Sequence, residues 1–245
     1  MSDSRTVESL ATPLKIEQGK ALRLQANRHG DLVIAANIIK NGGVGIAPFK
    51  GPFGFFGDYD NKEANARVMY DIKHRAPGKI LSAIIRPDNL HSHVDFSKTS
   101  YTQEDIKHFQ TKLHALGVRL PAKSEVPEHM TVDGTIMSIW SEYDPINIIM
   151  TQFQNLGGRA LFGTSANESH EPTIIKVEDA WNKFGDKVDF ILEEDLSYLP
   201  EERRMSTTLV DFTKDVPIQM RAGNVSVQEI NSVLRQRNKP DLLIP

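Results

Sequence analysis

The sequence contains no cysteine among its 245 residues. A thiol nucleophile, a disulfide framework, a cysteine-ligated zinc ion and an iron–sulfur cluster are therefore excluded. Nowhere do eighteen apolar residues run together, and the first residues lead into no apolar stretch of the signal-peptide type. We therefore expect a cytoplasmic protein with no membrane partner.

The sequence also lacks a strong charge of either sign. Lysine and arginine number 29 against 32 aspartates and glutamates, which gives a formal net charge of −3 at pH 7. This balance argues against a globally basic nucleic-acid coat, although a local basic patch is compatible with it. A chain of this length buries roughly 70–75% of the surface that its unfolded form exposes, so it needs no metal or cross-link to close a core.

Hydrophobic periodicity predicts helices and strands along most of the chain. Strands are predicted at residues 14–16, 44–48, 80–85, 135–140, 159–163, 188–192, 208–212 and 216–220. Helices are predicted at residues 32–40, 60–73, 106–116, 144–156 and 177–184, and after a capping box at Ser226. Because these elements follow no strict βαβ alternation, they favour an α/β or α+β fold in one domain, with a twisted mixed sheet.

Two segments fit neither pattern. Residues 51–58 are too rich in glycine for a strand interior and too apolar for a solvated loop, so we expect a turn that lines a site. Residues 118–134 are polar and contain two prolines. We expect that stretch to lie outside the core, as a flap.

A cluster of cations marks the end of the second predicted helix. Lys73, Arg75 and Lys79 fall within seven residues, where a proline and a glycine end the helix. An arginine can bind phosphate oxygens in a bidentate manner while lysines act as point charges, so the three can converge on one anion. The alternative is that they are surface cations, which the helix macrodipole favours at a C-terminus.

Two further segments carry small polar side chains at strand ends. Residues 163–167 read Gly-Thr-Ser-Ala-Asn, and Arg221 follows a short strand with Ser206 upstream. Such groups can form a polar crevice at the edge of an open sheet, although a plain surface turn is equally compatible. The glycine-rich segments match neither the P-loop nor the dinucleotide-binding pattern. His91 and His93 lack an evident third ligand, so we predict no metal site there.

In their order and spacing, these segments resemble the YrdC-like family of threonylcarbamoyl-adenylate synthases. The shared features are the Lys-x-Arg of Lys73 and Arg75, the Ser-x-Asn of Ser165 and Asn167, a Ser-Thr-x-x-Val-Asp run at residues 206–211, and a counterpart of Arg-Pro-Gly at residues 221–223. The resemblance covers roughly residues 30 to 235. Four ordered motifs are more specific than any one of them.

The resemblance implies an open α/β sheet flanked by helices, with a concave basic cavity that binds ATP. It divides the chain into an N-terminal extension, residues 1–29, and a YrdC-like domain, residues 30–245. It implies a nucleotidyltransferase that makes a carbamoyl-adenylate and pyrophosphate from an amino acid, bicarbonate and ATP, the first step of a tRNA modification. A magnesium ion bound mainly through the phosphates is expected with ATP.

The same resemblance assigns roles to individual residues. Lys73 and Arg75 are expected to be catalytic and to bind phosphates. The nucleotide site is expected to contain Lys73, Arg75, Lys79, Ser165, Asn167, Ser206 and Arg221. The acceptor pocket is expected to contain Phe49, Lys50 and Phe53, which stand where the family has Thr, a variable residue and Tyr.

Those three positions belong to a set of departures from the family pattern. The family's Pro-Thr-x-Thr-x-Tyr-Gly-Leu reads Pro-Phe-Lys-Gly-Pro-Phe-Gly-Phe at residues 48–55. Its Arg-x-Pro on a central strand is expected to be missing, because residues 137–141 read Met-Ser-Ile-Trp-Ser. Since the hydroxyl partners at the acceptor end are lost, we predict an acceptor amine or hydroxyl other than that of threonine.

Two other classes of function are compatible with this sequence. One is a catalytically silent module whose basic cavity binds a nucleotide or RNA, and the other is a scaffold of the same fold that acts through partners. The Lys73, Arg75, Ser165 and Asn167 set favours the enzyme, because an RNA-binding module would not require that pattern.

Overall fold

The computed structural model describes residues 20–49, 51–75, 78–113, 115–168, 171–198, 200 and 204–245. The strand predicted at residues 14–16 and Lys50 of the predicted acceptor pocket lie outside the described residues. The division into an extension of residues 1–29 and a domain of residues 30–245 stays a prediction. Among the described residues, no helix has the length and apolar character needed to span a membrane.

The described residues form eleven strands that join in a single mixed sheet. In chain order these are β1 (Leu22–Gln25), β2 (Gly45–Pro48), β3 (Phe53–Asp58), β4 (Ser82–Ile84), β5 (Gly117–Pro121), β6 (Thr131–Val132), β7 (Thr135–Ile139), β8 (Leu161–Ser165), β9 (Phe190–Glu193), β10 (Leu209–Asp211) and β11 (Ile218–Arg221). Their spatial order is β1-β9-β2-β3-β8-β4-β7-β5-β10-β11, with β6 paired to β7. The sheet is open, with β1 and β11 at its edges, which confirms the predicted fold class.

Six α-helices connect these strands. They are α1 (His29–Lys40), α2 (Lys62–Ala66), α3 (Gln103–Lys112), α4 (Asp144–Asn155), α5 (Val177–Phe184) and α6 (Val227–Gln236). A π-helical turn, Arg67–Ile72, continues α2, and short 3₁₀ turns lie at Pro87–Ser92, Phe96–Lys98 and Glu128–Met130. Each of the six α-helices overlaps a segment that the sequence predicts to be helical, although α1 and α3 each begin three residues earlier than predicted.

The helices cover both faces of the sheet. α1 and α4 pack against each other and bury one hydrophobic cluster, which includes Leu32, Ile149 and Phe153. The other helices bury a second cluster on the opposite face, where Phe109 of α3 and Phe184 of α5 are fully enclosed. Successive strand residues alternate between the two clusters, as the period of two requires.

Caps define several helix boundaries. The side chain of Ser226 accepts a hydrogen bond from the backbone N–H of Glu229, and the carboxylate of Glu229 accepts one from the N–H of Ser226, so the predicted capping box is confirmed. The helix predicted from residue 60 begins slightly later, because α2 starts at Lys62. Asn61 is the N-cap, because its side-chain oxygen accepts from the N–H of Ala64 at 2.8 Å.

Sequence reasoning identified seven strands and missed β1, β3, β5 and β6. The turn expected at residues 51–58 is largely strand β3, which lies between β2 and β8. Glycine is required at position 57, because a Cβ on Gly57 would lie 2.3 Å from the ring of Phe162 on β8. The flap expected at residues 118–134 begins with β5, whose Val118 and Leu120 are fully buried.

Candidate active site

The π-helical turn that follows α2 places two cations beside the sheet. In the π-helical turn the N–H of Lys73 donates to the carbonyl of Val68 at 3.1 Å, one residue further back than in an α-helix. His74 then takes a left-handed conformation with φ of 48°. The N–H of Arg75 donates to the carbonyl of Met69 at 2.9 Å, which closes the turn. Lys73 and Arg75 consequently project toward the C-terminal end of β8.

Lys73 is held by the loop that follows β8. Its side chain is only 1% exposed. Its ammonium group donates to the carbonyl oxygen of Ser165 at 2.5 Å, to the carbonyl oxygen of Asn167, and to Oδ1 of Asn167 at 3.1 Å. An ammonium group has three N–H donors, so these acceptors match its donor capacity. The Lys-x-Arg and Ser-x-Asn segments are therefore joined directly.

Hydrogen bonds within the loop fix the asparagine that receives Lys73. The hydroxyl of Ser165 donates to Oδ1 of Asn167 at 2.5 Å, and Nδ2 of Asn167 donates to the carbonyl of Glu171 at 2.6 Å. The amide orientation is thereby determined by its partners on both sides. Lys73 and Asn167 together stabilise the conformation of the loop at the end of β8.

Keeping the ammonium group of Lys73 charged costs free energy, because the group is buried. Burial, together with the nearby charge of Arg75, lowers the pKa of Lys73 to about 7, while the charge of Glu168 opposes the shift. The ring of Phe55 lies 5.4 Å from Nζ and offers a partial compensation through its π face. Near neutral pH this amine is therefore divided between its charged and neutral forms.

Arg75 contacts Thr164, the residue of β8 that precedes Ser165. Its guanidinium group donates to Oγ1 of Thr164 at 2.9 Å. Burial lowers the pKa of Arg75, and the charge of Arg221 is the second cause. Because like charges disfavour each other, an anion bound near both guanidinium groups would be stabilised.

A cavity lies beside this pair, with about 830 Å³ of empty space including its open mouth. Arg75, Thr164 and Ser165 line it at one end, and Ser206, Thr207 and Arg221 line it as well. Among the described residues that line it, arginine is the only charged type and no carboxylate is present. Its charge and hydroxyl groups suit a ligand rich in anionic oxygens.

The segments that contain Ser206 and Arg221 are packed tightly on each other. Nε of Arg221 donates to the carbonyl of Thr207 at 3.0 Å. A Cβ on Gly223 would lie 2.1 Å from the carbonyl oxygen of Ser206, so glycine is required for this approach. Gly223, which ends the fourth motif, therefore has a packing function, and Arg221 of the same motif lines the cavity.

The structure brings together most, but not all, of the predicted site residues. Phe49 and Phe53 line the same cavity as Arg75 and Arg221. Lys73 and Asn167 stand directly behind its lining and reach it through Ser165. Lys79 is exposed and does not line the cavity. The catalytic and nucleotide-binding roles of all these residues stay predictions.

One arginine was missed by the sequence interpretation. The expectation that an Arg-x-Pro is absent is wrong, because Arg119-Leu120-Pro121 lies on β5, within the stretch that was expected to be a flap. Nε of Arg119 donates to Oγ1 of Thr135 at 2.8 Å, and the guanidinium group lies 3.6 Å from a carboxylate oxygen of Asp211. The alternation of Val118, Leu120 and their neighbours was the available signal for a strand.

Histidines contribute to packing on the opposite face of the sheet. His93 is buried and its Nδ1 lies 3.3 Å from the hydroxyl of Tyr59. Burial lowers the pKa of His93 to about 4, so the ring is neutral at physiological pH. Within the described part of the chain, no three His, Asp or Glu side chains are grouped so that they could hold a metal ion.

The family model for Sua5, YciO and YrdC proteins, described as telomere recombination, matches residues 37–223. No curated protein sequence matches the chain. Among solved structures, Sua5 of P. abyssi superposes with a TM-score of 0.76 and 17% identity, covering 91% of this chain and 62% of that chain. The same protein complexed with L-threonine gives a TM-score of 0.75.

Two other structures share the fold. YciO of E. coli superposes with a TM-score of 0.70 and 18% identity, covering 88% of this chain and all of that chain. Full-length HypF in a phosphate- and nucleotide-bound form gives a TM-score of 0.59 and 21% identity, covering 74% of this chain and 27% of that chain. This chain thus spans about the length of YciO, but only 62% of the length of Sua5.

Proposed function

Because the chain belongs to the family of Sua5, YciO and YrdC proteins, whose model matches residues 37–223, we propose that it is a nucleotidyltransferase that makes a carbamoyl-adenylate. Its substrates are ATP, bicarbonate and a small amine or amino acid, and its second product is pyrophosphate. Transfer of the carbamoyl group to a tRNA is a further prediction of the resemblance.

One observation carries this proposal. Four segments distant along the chain converge on one cavity, which receives guanidinium groups from Arg75 and Arg221 and hydroxyl groups from Ser165 and Ser206. Two separated cations without a neighbouring carboxylate match the several anionic oxygens of a triphosphate better than they match a single carboxylate. A catalytically silent module would not need the further coupling of Lys73 to Ser165 and Asn167.

The chemistry requires positioning and charge stabilisation rather than a covalent intermediate. The acceptor amine and bicarbonate give a carbamate and water, and a carbamate oxygen then attacks the α-phosphorus of ATP. The bond from that phosphorus to the oxygen bridging to the β-phosphate breaks, and the electron pair leaves with pyrophosphate. Arg75 and Arg221 stabilise the charge that accumulates on the phosphoryl oxygens, because they are oriented before the reaction begins.

Lys73 acts from behind the lining of the cavity. It holds the carbonyl of Ser165 and the side chain of Asn167, so it fixes the position of the Ser165 hydroxyl that faces the phosphates. A magnesium ion would be held mainly through the phosphates, because the described residues that line the cavity include no carboxylate.

The test is pyrophosphate release from ATP in the presence of magnesium, bicarbonate and a panel of amino acids and amines. We expect release that depends on both bicarbonate and an acceptor. Arg75→Ala should lower kcat/KM by about 100-fold or more, the effect of removing one donor to a developing charge. Arg75→Lys should recover only part of this loss, since lysine keeps the charge but loses the planar fork.

Lys112→Ala provides the matched control, because this exposed lysine in the last turn of α3 lies away from the cavity. Its activity should equal that of the wild type. If wild-type protein binds ATP but releases no pyrophosphate with any acceptor, the silent module becomes the correct account. RNA affinity that falls steeply with salt would then identify its ligand.

A further inference from the structure

The part of the cavity away from its hydroxyl groups is strongly apolar. A row of paired residues crosses the sheet on one face, in which Ile84 of β4 pairs with Ile139 of β7, and Gly117 of β5 stands between Ile139 and Leu209 of β10. All four residues line the cavity. Aliphatic side chains from three strands therefore form its floor. Gly117 has no side chain, so the floor is deeper between Ile139 and Leu209.

An aromatic wall adjoins this floor. The rings of Phe49 and Phe56 lie 6.0 Å apart between centroids with an angle of 43° between their planes. Phe53 is fully buried, and Pro52 completes the lining from this hairpin. None of these four side chains has a hydrogen-bond donor or acceptor.

One hydroxyl group of the cavity lies across the sheet from this wall. Ser82 of β4 pairs with Gly163 of β8, and Gly163 pairs on its other side with Phe56, so Ser82 stands two strands away from the wall. If the proposed function holds, the phosphates occupy the side with Arg75 and Ser165. The aromatic wall and aliphatic floor then face the second substrate.

We propose, on the basis of the proposed function, that the acceptor is an amino acid with an apolar side chain, which packs against Phe49 and Phe56. A hydroxyl group at this position would lose its hydration without gaining a partner, so threonine is disfavoured. An added methylene in an apolar pocket typically changes relative rates by 10- to 200-fold. The amine of the acceptor is carboxylated by bicarbonate with loss of water, and the resulting carbamate attacks the α-phosphorus as described above.

The test compares L-leucine, L-valine and L-phenylalanine with L-threonine and L-serine in the pyrophosphate assay. We expect kcat/KM for the best apolar amino acid to exceed that for threonine by about 10-fold or more. At equal concentrations the apolar amino acid should also raise the thermal unfolding temperature more than threonine does, a readout independent of turnover.

Phe49→Thr tests the wall itself. Phe49 is half-buried, so its replacement should leave the fold intact. The variant should lose most of the preference for apolar amino acids, with the affinity for ATP unchanged. Leu156→Thr, at the exposed end of α4, is the control and should keep the preference of the wild type.

Three outcomes would overturn the inference. Threonine used as well as or better than the apolar amino acids overturns it and leaves the proposed function intact. Weaker ATP binding in Phe49→Thr, with unchanged acceptor preference, shows instead that the wall holds the base. Absence of pyrophosphate release with every acceptor overturns the proposed function, and the inference with it.

Discussion

Lys73 shows how a single buried charge organises the site. Its ammonium group is removed from water, yet it finds three oxygen acceptors on the loop after β8. A buried amine with a complete set of acceptors makes the loop conformation specific, because another arrangement would leave a charge without partners. The cost of this arrangement is visible in the lowered pKa of Lys73.

The pH dependence of stability should report this cost. The pKa of Lys73 is about 7 in the folded protein, below the ordinary value of 10.5. Between these two values the unfolded chain binds more protons, so the stability contributed by this group rises as the pH increases through that window. In Lys73→Arg the side chain stays charged at every pH and contributes no such rise.

Urea unfolding of both proteins from pH 7 to pH 10 measures the effect. The difference in the free energy of unfolding, wild type minus Lys73→Arg, should increase with pH by up to about 1.4 kcal/mol per unit. Lys112→Arg makes the same exchange at an exposed lysine in the last turn of α3 and serves as the control. A constant difference for Lys73→Arg would mean that Lys73 titrates in its ordinary range.

Of the candidate site, the sequence predicts best which residues take part. The order of the motifs predicts that Lys73, Arg75, Ser165 and Asn167 meet. Lys73 contacts Ser165 and Asn167 directly, whereas Arg75 contacts Thr164, the residue before Ser165. The sequence does not indicate Arg119 as a site residue, because it predicts a flap where strand β5 lies. The density of polar residues after Pro121 obscured a short buried strand whose pairing is entirely long-range.

Strand β3 shows why local signals fail at the scale of an element. Glycine is normally depleted in strands, and residues 53–58 contain two of them. In the sheet these glycines lie against the residues of β8, where Gly54 pairs with Ser165 and Gly57 pairs with Phe162. The large ring of Phe162 occupies the space that a side chain at Gly57 would fill, so tertiary packing overrides local propensity.

The helices were predicted well because their 3.6-residue period and caps are local.

Gly57→Ala should destabilise the protein by about 1–3 kcal/mol, the usual cost of adding a methyl group to a packed interior. The added Cβ would lie 2.3 Å from the Phe162 ring, and that ring is fully buried. Gly30→Ala is the matched control, since no atom lies within 4 Å of the Cβ position in the first turn of α1.

In that control a helical glycine becomes alanine, which should stabilise the protein by about 0.5–1 kcal/mol. Thermal and urea unfolding would measure the destabilisation expected for Gly57→Ala and the stabilisation expected for Gly30→Ala. Equal effects at Gly57 and Gly30 would show that the strand can accommodate the extra carbon.

At the scale of the whole molecule, both helical layers depend on the same sheet. Alternate residues of each central strand enter opposite hydrophobic clusters, as Phe55 and Phe56 do on β3. Loss of one helical layer would therefore expose strands that also support the other. This arrangement favours cooperative unfolding of the described residues as one unit.

Calorimetry should show a single unfolding transition, and substitutions on opposite faces should move it together. Phe153→Ala removes a buried ring from the α1 and α4 side, and Phe109→Ala removes one from the α3 side. Each should cost about 3–5 kcal/mol and lower the same transition temperature. Two resolved transitions, each sensitive to one of the substitutions, would instead indicate independently folding halves.

The π-helical turn before Lys73 sets the angular phase of the residues that follow it. Successive residues of an α-helix are about 100° apart around the axis. Deleting one residue from Arg67–Ile72 to restore an α-helix would rotate Lys73 by that angle and turn its amine away from β8. The wider π-helical turn therefore sets the direction in which Lys73 and Arg75 point. Whether these two side chains contact the end of β8 depends on the length of this one turn.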